Sequence, residues 1–208
     1  MASAIIHLAI AKKVNEKIKV DNQRDYYLGA IAPDISKQIG ESREQSHFLI
    51  NTTKGIPNID LFKKRYPTFM YNSFNLGYFT HLYADKYWLK DFLPSIKHDN
   101  FIKLTNGKFI KTTTEEIDKM IYSDYTNLNI KVIEEYDLDL SLFYEDFIIP
   151  KTEMKEIPIS SLDILINKMG LLIENSKSEK TYTLDIEKIK VFIEETATKI
   201  INELKIYN

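Results

Sequence analysis

At 208 residues, with 28 Lys+Arg against 30 Asp+Glu and a formal net charge of -2, the chain is long enough for one substantial core. It has no broad basic surface for gripping a nucleic-acid backbone. No cysteine is present, which excludes disulfides and thiolate metal sites and leaves nitrogen and oxygen as the donors for any transition metal.

Ser3 is placed to cap a first helix with apolar positions Ile6, Ile10, Val14 and Ile18, and His7 lies beside that stripe. The N-terminus MASAIIHLAIAKKVN lacks a basic leader before its short apolar run, and no run of about eighteen apolar residues occurs anywhere. The expectation is therefore no signal peptide, no membrane span and a cytoplasmic protein. A second helix over Arg24 to Ile31 ends at Ala32-Pro33, because the residue before proline is pushed out of the helical region, and Asp34 follows on a constrained turn. Residues 36–46 are polar and read as a loop, so His47 stands at a boundary between loop and core.

A third helix runs from Pro57-Asn58 to Pro67. The stretch SFNLGYFTHLYADKYWLKDF, Ser73 to Phe92, comes next, with Phe74, Tyr78, His81, Asp85, Trp88 and Phe92 recurring at helical spacing and Pro94 just beyond its end. An imidazole and a carboxylate one turn apart on an apolar face are placed to grip one ion from a rigid frame. Phe101 to Lys111 contains Asn106-Gly107 between short alternating runs and reads as one short β-hairpin. Thr113 and Glu116 form a capping box ahead of a helix carrying Ile117, Ile121, Asp124, Leu128 and Val132. An irregular connection packed by Leu142, Phe143 and Phe147 leads to a helix capped by Ser160 and to a last helix starting near Asp185. The expected architecture is a single all-α domain over residues 1–208.

Six ionisable residues break an apolar or boundary context: His7, Asp34, His47, His81, Asp85 and Asp124. Imidazoles and carboxylates without sulfur suit zinc, with manganese or iron as other candidates. The order IIHLAIA (His7), LGAIAPD (Asp34), SHFL (His47) and LGYFTHLYAD (His81, Asp85) resembles the zinc-dependent phospholipase C family, which is related in fold to the P1-type nucleases. The resemblance covers about the first ninety residues. It implies an all-α fold and a zinc centre that hydrolyses small phosphate esters with a metal-activated water, the substrate being a phospholipid head group or a nucleotide. Carried over by position, His47, His81, Asp85 and Asp34 would bind one ion and His7 with Asp85 another, with Asp85 as the bridge and Asp34 as acceptor of the nucleophile's proton.

The chain departs from that family in two places. Secreted members use a free N-terminal amine exposed by processing, whereas this sequence begins with Met1 and shows no cleavage signal; and a later H-x-x-x-E is missing, since no histidine follows His98. Asp124 is the candidate for part of that lost function, and the expectation is one or two ions. Two other readings compete. His98-Asp99, with His47 before and Asp124 after, resembles the order in HD-type metal-dependent phosphohydrolases, and a helical metal-binding scaffold would keep the cage without chemistry.

Overall fold

The computed structural model describes residues 1–50, 52, 55–144, 148–177 and 179–207. The Ser3 hydroxyl accepts a hydrogen bond from the Ile6 N–H and starts α1 (Ala4–Ile18), whose Ile6, Ile10 and Val14 are buried together with His7. Asn22 caps α2 (Gln23–Ile31), and a 3-10 turn over Ala32–Asp34, with Pro33 near its start, carries the chain into α3 (Ile35–Gln38). The polar stretch expected as loop thus contains two short helices, α3 and α4 (Arg43–Ser46), the second capped by Ser42. Single turns of four residues are too short to show a hydrophobic period, so the pattern read as loop. Asn58 caps α5 (Ile59–Arg65), which stops ahead of Pro67.

Asn72 caps α6 (Ser73–Tyr87), in which every residue from Phe74 to Asp85 is buried. The apolar stripe understated this element: α6 is covered on all sides and runs through the core. It continues through a wider π-helical turn, Trp88–Phe92, into α7 (Leu93–Ile96). Pro94 lies in the first turn of α7 rather than beyond a helix end, a position where its missing N–H costs no hydrogen bond.

Helices α2 and α6 meet at two glycines. A Cβ on Gly29 would sit 2.1 Å from the Phe74 carbonyl oxygen, and one on Gly77 would sit 1.9 Å from the Tyr26 carbonyl oxygen. Only hydrogen at these positions lets the backbones touch.

Strands β1 (Lys97–His98), β2 (Phe101–Lys103) and β3 (Phe109–Lys111) form an antiparallel sheet in that order. The expected hairpin is β2–β3, turning at Asn106-Gly107 with Gly107 at φ +85°, and β1 is an addition to it. The capping box forms as expected at the start of α8 (Thr114–Glu135). Ser160 does not cap α9 (Leu162–Glu174): it lies inside a 3-10 turn, Ile159–Ser161, which leads directly into the helix. Asp185 accepts hydrogen bonds from the Glu187 and Lys188 N–H groups and caps α10 (Ile186–Leu204). Phe143 is buried as expected, and Phe147 lies outside the described residues. Apart from the small sheet the fold is all-α, and among the described residues no helix is long and apolar enough to cross a membrane.

Candidate metal centre

Five of the six candidates converge. His7 comes from α1, Asp34 from the turn after α2, His47 from the end of α4, and His81 and Asp85 from one face of α6. Asp85 is fully buried and presents its two oxygens to different neighbours: Oδ1 lies 3.4 Å from His7 Nε2, and Oδ2 lies 3.5 Å from His47 Nε2 and 4.0 Å from His81 Nε2. His47 Nε2 is also 3.7 Å from Asp34 Oδ1 and 3.4 Å from His81 Nε2. The His7 ring stacks on His81 with centroids 3.8 Å apart. Two groupings bring one donor atom per residue close enough to share an ion, His7 with Asp34 and His81, and His47 with His81 and Asp85.

The rings are held from outside the cluster. His81 Nδ1 is 2.8 Å from the Ala30 carbonyl, which can only accept, so the ring proton is on Nδ1 and Nε2 carries a bare lone pair. His47 Nδ1 is 2.8 Å from Ser46 Oγ, Ser46 Oγ is 3.1 Å from Ser36 Oγ, and the Ser36 hydroxyl donates to the Pro33 carbonyl. Ser46 Oγ also donates to the Arg43 carbonyl at 3.5 Å, so this network orients the His47 ring through Nδ1. Phe48, the next residue, takes the left-handed backbone conformation at φ 55°, at a cost of about 1–2 kcal/mol. Its ring packs edge-on against Phe62, Tyr66 and Tyr78 and fixes the turn that aims His47 inward.

The bare Nε2 of His81 faces His47 Nε2 at 3.4 Å. Both ring nitrogens of buried His7 and Oδ1 of Asp34 have no hydrogen-bond partner. Orphaned buried donors and acceptors of this kind are costly, and a nitrogen and oxygen set of this composition fits zinc. Burial drives the His47 pKa down to about 3, with Arg43 adding to the effect, and burial followed by His7 holds His81 well below the ordinary imidazole range. Both are therefore neutral, as metal ligands must be. Burial alone would raise the Asp85 pKa, but the contact with His7 and the N-terminal amine of Met1 hold it well below the usual carboxylate range; Asp34 is raised, by burial and then by Asp85.

Asp124 stands apart from both groupings, which corrects the expectation of a sixth ligand. Its carboxylate accepts from the N–H groups of Tyr182, Thr183 and Leu184 and from the Thr183 hydroxyl, so it fastens the segment before α10 to α8. His98 and Asp99 are exposed at the β1 turn and join neither grouping, which removes the HD-type assignment.

Arg43 was not legible as part of the centre. Its Nη2 lies 2.8 Å from Asp85 Oδ2. The signal is its position four residues before His47, visible only once α4 is known to be helical. Asp34, 13% exposed against 0% for the His47, His81 and Asp85 side chains, opens onto a cavity of about 430 Å³. Lys37, Tyr122, Tyr125, Leu165 and Met169 are among its walls.

Residues 6–107 match the family model described as zinc dependent phospholipase C. That stretch contains all five converging residues and is similar to the zinc-dependent phospholipase C family. The family and the His/Asp groupings together support zinc, a phospholipase C-like hydrolase and a small phosphate-ester substrate. Searches of curated proteins and of solved structures return no match.

Proposed function

We propose that the protein is a zinc-dependent phosphodiesterase whose centre is built by His7, Asp34, His47, His81 and Asp85. The observation that carries this reading is their convergence from four separate elements, with unpartnered donor atoms on His7 and Asp34. Manganese or iron would satisfy the same donors. Zinc held there polarises a phosphoryl oxygen and acidifies water.

The chain's own residues supply the rest. The Ala30 carbonyl fixes the His81 tautomer and the Ser46–Ser36 chain orients the His47 ring, as second-shell partners do in metal sites. Asp34 is the acceptor for the proton of the attacking water. It faces the cavity, and its Oδ1 is buried without a hydrogen-bond partner. The apolar wall of Leu165, Met169 and Tyr125 suits the organic portion of a phospholipid head group better than a polar nucleotide. A closed scaffold would leave no cavity beside the ligands, so the opening at Asp34 favours chemistry over storage.

The test is the zinc content of purified protein by inductively coupled plasma mass spectrometry, with turnover of chromogenic phosphodiesters in the same preparation. His81→Ala and Asp85→Ala are expected to lose most bound zinc and all turnover. Zinc content unchanged in both variants would sink the assignment, and zinc without diester turnover would return the scaffold reading.

A further inference from the structure

The cavity at Asp34 has a charge pattern of its own. Among the described residues that line it Asp34 is the sole carboxylate, and two lysines reach it from different walls, Lys37 on α3 and Lys168 on α9. Met1 lines it too, but its amine is buried and its charge acts on Asp85 and Asp34. Both lysines are exposed, whereas Leu165 and Met169 beside Lys168 are buried, so the charges stand at the solvent side and the apolar wall lies deeper. Among the described residues neither ammonium is paired with a carboxylate. Two aromatic rings share the cavity, and an open aromatic face is what a quaternary ammonium head group needs. Here a second cation meets like charge: Lys37 Nζ stands 4.3 Å from the centroid of the Tyr122 ring and 2.9 Å from its hydroxyl. Tyr125 is buried, packs against Trp88 and Tyr122, and donates its hydroxyl proton to the Met1 carbonyl. An ammonium has three N–H donors, and Tyr122 takes one from Lys37, which leaves two for an anion.

We propose that this cavity selects phosphodiesters whose alcohol portion carries a further anionic group, such as a second phosphate, with Lys37 setting the preference and Lys168 assisting it. This rests on the hydrolase reading above and names its substrate class. The diester itself meets the centre at Asp34, and the added charge lies with the two lysines at the solvent side. A head group ending in a quaternary ammonium would place its cation beside two others.

The experiment uses zinc-loaded protein and dihexanoyl phospholipids kept below their micelle concentration, so that no lipid surface contributes. Phosphatidylinositol phosphate is compared with phosphatidylcholine by kcat/KM, and bis(p-nitrophenyl) phosphate, which has no charged head group, reports the hydrolase itself. Affinity for inositol bisphosphate and for phosphocholine, read by titration calorimetry, needs no turnover. Wild type is expected to favour the inositol compound in both measurements by about 10-fold or more. Lys37→Gln should cut that ratio about 10-fold, Lys168→Gln should cut it less, and Lys37→Glu should reverse it. Zinc content of each variant reports that it folds. The inositol phosphate diester stripped of its acyl chains separates the two sources of such a substrate: turnover equal to that of the lipid assigns the cavity to a soluble anionic diester, and slower turnover assigns it to a lipid. A wild type that prefers the choline compounds, or a ratio unchanged in Lys37→Glu, would overturn the proposal, while turnover of bis(p-nitrophenyl) phosphate would keep the hydrolase reading. No turnover of any of the three substrates would overturn both.

Discussion

His47 and His81 are neutral in the fold at pH values where an unfolded imidazole, with its pKa near 6.5, takes a proton. Between that value and about 3 for His47, the unfolded chain binds more protons than the folded one, so stability falls as pH falls. The slope is about 1.4 kcal/mol per pH unit for each such histidine. Asp85, held low, adds a loss in the same direction on further acidification, whereas Asp34, raised, works against it. Chelator-treated protein is therefore expected to lose thermal stability progressively below about pH 6.5, measured as melting temperature against pH; a flat profile from pH 7 to 5 would contradict the buried neutral imidazoles. Asp124 makes a different prediction. Asp124→Asn weakens or breaks bonds to Tyr182, Thr183 and Leu184 and should cost about 2–4 kcal/mol in chemical denaturation while leaving zinc content unchanged. Loss of zinc in that variant would restore it to the ligand set. At this scale the sequence shows which side chains sit in the wrong polarity for their surroundings, and His81 with Asp85 could be read that way. It does not show what each carboxylate faces, because the partners of Asp124 lie some sixty residues away.

The elements that aim the ligands depend on a contact the hydrophobic pattern does not encode. His81 keeps its tautomer because the Ala30 carbonyl on α2 reaches across to α6, and that approach needs Gly29 and Gly77. Gly77→Ala is expected to cost about 3 kcal/mol or more and to weaken zinc binding with it, since relief of the clash pushes α2 away from His81. Gly40→Ala is the control. Gly40 takes positive φ, unlike Gly77, and has open space around it, so the cost should stay at about 1–2 kcal/mol with zinc content unchanged. Denaturation curves and zinc assays on the two variants separate backbone strain from helix contact. Capped helices with a clear period, such as α1, α8 and α10, were legible from Ser3, the Thr113–Glu116 box and Asp185. The single-turn helices α3 and α4 were not, and with them Arg43 was missed. Glycine in a helix reads as a weakness until the neighbouring backbone is seen.

Across the whole molecule the general fold was legible because an all-α pattern with one Asn-Gly hairpin needs only local signals. The arrangement of helices around α6 was not, because a helix buried on all sides still shows an apolar stripe and hides how much else is covered. That burial has a kinetic consequence. Backbone amides from Leu76 to Asp85 lie inside the helix and have no solvent face, so they are expected to exchange hydrogen for deuterium only when the whole protein opens. Asp34, by contrast, is partly exposed at a cavity wall. Deuterium exchange followed by mass spectrometry should find α6 the slowest segment. Two of the five ligand candidates thus ride on the last part of the chain to let go, and an ion would leave past Asp34, without α6 yielding at all.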